Sequence, residues 1–166
     1  MAPASTKYHC GYEGGLCEHS LNVYFNLLML NSLKKTNLSE DTMKIIALCH
    51  DFGKIGYYEP FIQNKKVYQP EGSQSDKGGK YNWVPVQGYK KKENSILVLG
   101  SHGEMSEYIT RCYIPLHTKE TAAIYNHHSG FDAASTTNIT AIYNNYSEAL
   151  LLHLADMLSC YNDERT

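Results

Sequence analysis

The segment 147–161, SEALLLHLADMLSCY, is apolar nearly all the way round a helical wheel, and a helix of that kind has to be enclosed by others. Asp156 nevertheless stands in its middle. A buried carboxylate without a partner costs roughly several kcal/mol. The chain must therefore both wrap helices around this segment and bring a cation to Asp156, which directs attention to other polar residues on buried faces.

Such residues recur. After the Gly14-Gly15 breaker, LCEHSLNVYFNLLMLNSL sets Leu16, Val23, Leu27 and Leu30 on one helical stripe, with His19 four residues before Val23 and so pointing inward. Ser39 is a good N-cap, Glu40 and Asp41 follow in a first turn, and Met43, Ile46 and His50 continue at spacings of three and four. His50 thus lies on a buried face near the end of its helix, where Gly53 can terminate it, and Asp51 follows directly. SHGEMSEYITRCYI reads as a helix with His102 at its entrance, and TKETAAIYNHH as a short helix capped by Thr118 with His127 and His128 near its end.

Residues from about 57 to 98 differ in kind, being rich in Gly, Lys, Pro, Asn and Tyr with no sustained 3.6-residue period. They read as an extended lid or insertion, with room for a short hairpin. The expectation is an all-α fold, a helical bundle of five or six helices forming a single domain over residues 1–166, with one long irregular insertion around 57–98.

A chain of 166 residues can bury a substantial core without disulfides or a structural metal, so any metal it binds is free to serve function. Five cysteines form no CxxC pair, and Cys17, Cys49 and Cys160 fall in apolar segments. They read as reduced, mostly buried thiols of a cytosolic protein. No apolar run approaches the roughly 18 to 20 residues of a membrane span, and the opening MAPASTKYHC lacks the pattern of a signal peptide. The expectation is a soluble, cytoplasmic protein with no membrane partner. The net charge of −2 and pI near 6.4 give no general pull toward nucleic acid, although Lys90, Lys91 and Lys92 form a local basic run.

The polar residues placed where apolar ones would be cheaper are His19, His50, Asp51, His102, His127 and Asp156. Each alone has an ordinary explanation: a satisfied core histidine, a chance His-Asp dipeptide, an Asp paired with a Lys or Arg. Together they form a set of imidazoles and carboxylates of the kind that Zn, Mn, Fe and similar ions accept. Four His and two Asp are enough for a two-metal centre with positions left for water and substrate.

The ordered set His19, His50-Asp51, Asp156 resembles the signature of the HD superfamily of metal-dependent phosphohydrolases, and HDFGK resembles the HD-x-G-K form of its central motif. YHCGYEGGLCEHSLNVY (8–24), LGSHGEMS (99–106), NHHSGFD (126–132) and LLHLADMLSCY (151–161) are similar to the HD domain of bacterial 3′→5′ exoribonucleases and of related phage and mobile-element proteins. The resemblance implies that His19, His50, Asp51 and Asp156 hold a first divalent metal ion, that His102 and His127 serve a second, and that Asp51 bridges them. Mn, Fe, Mg, Ni and Zn all suit such ligands. The implied reaction is attack by a metal-bridged hydroxide on a phosphoester of a nucleotide or short nucleic acid.

In that reading Lys54 neutralises a phosphate oxygen or, more plainly, caps the helix dipole. His128 is a substrate contact or a surface residue. Lys90 to Lys92, with Tyr89 and Trp83, could cover a phosphate and stack a base, or form a solvated loop. His9 and Glu13 could line the pocket, His153 reads as core or as support for a ligand, and His117 as loop surface. An HD-type di-iron oxygenase uses the same ligand types with O₂, and a non-catalytic HD module that binds a nucleotide is the third reading. No OB-type domain like the one before the HD region of the exoribonucleases is recognisable in this sequence, so processive RNA degradation is not part of the expectation.

Overall fold

A computed structural model describes residues 2–6, 9–34, 36–93, 100–128 and 138–164. The first long helix, α1 (Gly15–Lys34), buries Leu16, His19, Val23 and Leu27 of the expected stripe, with Leu30 half-buried. The second, α2 (Glu40–Cys49), begins at Ser39, whose hydroxyl accepts from the Thr42 amide at 3.1 Å, and it buries Met43, Ile46, Ala47 and Cys49. It ends at His50, and Phe52–Lys54 form a 3₁₀ turn. Gly53 lies inside that turn and does not end the helix by a left-handed conformation; Gly56, with φ of 73°, turns the chain afterwards.

Three strands follow: β1 (Tyr58–Tyr68), β2 (Gln74–Asp76) and β3 (Gly79–Lys91), paired antiparallel in the order β1-β3-β2. The register of β1 on β3 is unbroken from Tyr58 opposite Lys91 to Tyr68 opposite Tyr81. This overturns the all-α expectation. The fold is mixed, helices plus a three-stranded antiparallel sheet, and the region read as an irregular insertion is an extended arm. Residues 94–98 of that region lie outside those described. The strands escape a search for periodicity because solvent reaches both faces of the ribbon, so apolar and polar residues do not alternate cleanly. Pro60 and Pro85 also speak against strands, but Pro60 is on edge strand β1, and β2 stops short of Pro85, so neither proline's missing N–H breaks the ladder.

The remaining helices are α3 (His102–Tyr113), α4 (Thr118–Asn126), α5 (Ile139–Asn145) and α6 (Ser147–Leu158), followed by a π-helical turn at Ser159–Asp163. α3 opens with a capping box, Ser101 accepting from the Glu104 amide and the Glu104 carboxylate accepting from the Ser101 amide. α4 is capped at His117 and not at Thr118: the Glu120 carboxylate accepts from the His117 amide at 2.9 Å. The core joins α1, α2, α4 and α6 through Val23, Leu27, Ile46, Ile124 and Leu152, all fully buried. α6 is central as expected, with Leu151, Leu152, Ala155 and Asp156 buried. All five cysteines are free, but Cys17 and Cys112 are exposed, so burial holds only in part. No helix among the described residues is long and apolar enough to cross a membrane.

Candidate metal centre

Four helix ends or faces converge on Asp51, which is fully buried. Its two carboxylate oxygens look in different directions. Oδ2 lies 3.6 Å from His19 Nε2 and 3.5 Å from His50 Nε2, whereas Oδ1 lies 3.5 Å from both His102 Nε2 and His127 Nε2. One carboxylate thus stands between two pairs of imidazoles.

The ring orientations follow from local structure. His50 and His127 each cap the C-terminus of a short helix, α2 and α4. In each case Nδ1 donates to the carbonyl three residues back, His50 to Ala47 at 2.8 Å and His127 to Ile124 at 2.7 Å. A carbonyl only accepts, so Nδ1 carries the proton and Nε2 presents a lone pair to the interior. His102 is placed by the capped start of α3 and by close packing of the 3₁₀ turn. The Gly53 amide donates to Ser106 Oγ at 2.8 Å, and that hydroxyl donates to the His102 carbonyl at 2.6 Å. A Cβ at Gly53 would lie 2.4 Å from that carbonyl oxygen, so the glycine is needed for close approach.

His19 projects from α1. Its Nε2 lies 3.3 Å from His50 Nε2 and 3.2 Å from Asp156 Oδ1, and its Nδ1 lies 3.1 Å from both oxygens of Glu164. Glu164 also accepts from His9 Nδ1 and Asn22 Nδ2, each at 2.9 Å. Burial opposes charge on His19, but the Asp156 and Glu164 carboxylates outweigh it and raise its pKa to about 9. Burial lowers the pKa of His50 to about 4 and that of His128 to about 3, and holds His102 well below the usual histidine range. Asp51 stays well below the carboxylate range despite burial, because Lys54 and the histidines surround it. Lys54 Nζ donates to Asp51 Oδ2 at 2.7 Å, and that carboxylate raises the lysine's pKa against its own burial.

These atoms fit a metal. Among the described residues, Asp51 Oδ1, His102 Nε2 and His127 Nε2 are buried with no hydrogen-bond partner, an arrangement that costs free energy unless something lies among them. Ions bound at about 2.1 Å hold neighbouring ligand atoms about 3.0 to 3.4 Å apart, close to the separations here. Ligand atoms of His19, His50 and Asp51 lie within 4.8 Å of one another, and so do those of Asp51, His102, His127 and His128. Both groups could hold a metal ion.

Every residue expected as a ligand is therefore found at one site, with Asp156 reaching it beside His19. His128, expected as a substrate contact or surface residue, stands within ligand distance, with Nε2 3.8 Å from Asp156 Oδ2. Lys54 lines a cleft of about 440 Å³ that opens onto His102 and His128 and is bounded by Tyr57, Tyr58 and Lys91. Lys90, expected to bind substrate, instead pairs with Glu59 at 3.0 Å; strand alternation turns Lys91 to the cleft and Lys90 to the other face. His153 donates from Nδ1 to the His127 carbonyl at 2.6 Å. The GFD turn at 130–132 lies outside the described residues.

Glu164 was not visible as a partner in the sequence, since it lies 145 residues from His19 in a polar C-terminal stretch. His9, His19 and Cys160 form another group within ligand distance, and only the place of His9 just before α1 signals it in the sequence. No family model, curated protein or solved structure matches the chain.

Proposed function

We propose that this chain is an HD-type metal-dependent phosphohydrolase that binds two divalent ions and cleaves a phosphoester of a nucleotide or short nucleic acid. The observation that carries the reading is the position of Asp51, one oxygen toward His19 and His50 and the other toward His102 and His127. A carboxylate with that disposition can bridge two ions.

His19, His50, Asp51 and Asp156 would hold one ion, and His102, His127 and Asp51 the other, with His128 close enough to join. Divalent ions supply a water of lowered pKa and neutralise charge on phosphoryl oxygens. The chain's own residues prepare that chemistry. His50 and His127 are locked in the tautomer that offers Nε2, and Lys54 keeps Asp51 ionised and fixed. On the cleft side, Lys54 and Lys91 give two positive charges beside the imidazoles, suited to a phosphate. Tyr57 and Tyr58 give an aromatic wall suited to a base or sugar.

The test is metal analysis of the purified protein, combined with phosphate release from p-nitrophenyl phosphate esters and a nucleotide panel in Mn²⁺, with and without oxygen. The expected result is bound divalent metal and oxygen-independent hydrolysis that Asp51→Ala abolishes. Turnover that requires O₂ and releases no phosphate would overturn the reading.

A further inference from the structure

We infer that the β arm is a binding platform for single-stranded nucleic acid that leads a strand into the metal cleft. The unbroken register places alternate residues of β1 and β3 on one face. On that face Tyr58 stands opposite Lys91, Pro60 opposite Tyr89, Lys66 opposite Trp83 and Tyr68 opposite Tyr81. At the base, Tyr58 and Lys91 are also walls of the cleft that holds Lys54, His102 and His128. The face is thus continuous with the metal centre, and eleven residues of β1 carry it outward over about 34 Å.

Its far end is an exposed aromatic ledge. Tyr68 and Tyr81 meet at 5.8 Å between ring centroids, and Tyr81 and Trp83 at 6.0 Å. Lys66, held by Asp76 at 2.5 Å, sits over the Tyr81 ring at 4.1 Å. Trp83 and Tyr68 are each 51% exposed and Ile62 on the same face is 70% exposed, so the ledge spends apolar surface on solvent. Among the described residues the strands pack mainly on one another, and a face needed only for folding would not lie open in this way.

Charge selects the occupant. Residues 57–93 carry seven lysines and four carboxylates in a chain whose net charge is −2, so the arm is locally basic on an otherwise acidic protein. A basic ribbon with a row of open rings matches a phosphate backbone with unstacked bases, since every base offers a face for stacking. A duplex hides those faces. The inference rests on the hydrolytic reading only for the fate of the strand, not for its binding.

Trp83 is the only tryptophan in the chain, which makes the ledge its own reporter. The experiment adds short oligo(dT) or oligo(U) to the full-length protein in EDTA at low salt, following tryptophan emission, while anisotropy of a labelled oligonucleotide gives the affinity. Expected are quenching on binding, weaker binding at higher salt, and a loss of roughly five- to hundred-fold in affinity for Trp83→Ala or Tyr81→Ala, with circular dichroism unchanged. Absence of quenching, undiminished binding by both variants, preference for duplex, or quenching that tracks self-association of the protein would each overturn the inference. Binding that persists in a protein that hydrolyses no phosphoester upholds the platform and counts against the hydrolytic reading alone.

Discussion

Glu164 accepts from Nδ1 of His19 at 3.1 Å, across 145 residues of chain. The same carboxylate takes His9 and Asn22, so it ties the π-helical C-terminal turn to α1 and to the segment before it. With Nδ1 engaged, His19 can offer only Nε2 toward His50, Asp51 and Asp156. A carboxylate behind a ligating imidazole fixes the ring and raises its basicity, and loss of such a partner weakens metal binding about 10- to 100-fold. Glu164→Ala is expected to lose affinity in that range, measured by competition with a chromogenic chelator. Glu164→Gln, whose amide oxygen can still accept from Nδ1, is expected to recover much of it. Equal affinities for all three proteins would show that His19 needs no orienting partner.

Lys54 and Asp51 are both buried and bonded at 2.7 Å. Breaking one side of such a pair leaves an uncompensated charge, at a cost of about 3 to 5 kcal/mol. In Lys54→Met the remaining charge is one that a divalent ion can satisfy. The variant is therefore expected to be destabilised in EDTA, and to recover most of the deficit when Mn²⁺ or Zn²⁺ is added in excess. Urea denaturation under both conditions measures this, and a deficit unchanged by metal would indicate that Asp51 does not bind it.

The histidines predict a maximum of metal-free stability near pH 6.5. His19 has its pKa raised from 6.5 to about 9 in the folded protein, so its charged form favours folding. That contribution is complete below pH 6.5 and is lost as pH rises toward 9. His50 has its pKa lowered from 6.5 to about 4, so below 6.5 the unfolded chain takes up a proton that the folded one refuses. Stability then falls as pH drops toward 4. Denaturation midpoints in a chelating buffer from pH 4 to 9 are expected to pass through a maximum, and His19→Gln is expected to flatten the alkaline limb.

The site was more legible than the fold around it. His19, His50 and Asp156 betray themselves because polar groups on apolar helical faces break a 3.6-residue period that the rest of each segment keeps. The 57–93 arm keeps no such rule, because its Tyr, Trp and Lys residues face solvent on both sides and nothing forces an alternation. Glu164 lies beyond reach for a different reason: its partners are set by how the segment after α6 meets α1 and His9, which no local pattern encodes. Gly53 too escapes a purely local reading. A glycine after a helix suggests a stop signal, but here the absent Cβ makes room for the backbone of α3.

That role gives the last prediction. A methyl group at Gly53 would lie 2.4 Å from the His102 carbonyl oxygen and 3.1 Å from Met105 Cβ, and the first contact is with backbone that cannot rotate away. Gly53→Ala must therefore push the 3₁₀ turn off the start of α3, disturbing the Gly53 to Ser106 hydrogen bond on the way. Asp51 precedes that turn and His102 lies under the contact, so the displacement falls between Asp51 Oδ1 and His102 Nε2, now 3.5 Å apart. Overpacking of this kind costs about 1 to 3 kcal/mol, and the expected result is that loss in urea denaturation, together with weaker metal binding. Gly56→Ala, at a position with open space around it but φ of 73°, is expected to lose stability through strain alone and to keep its metal affinity. If the two variants bind metal equally well, close approach at Gly53 is not what positions His102.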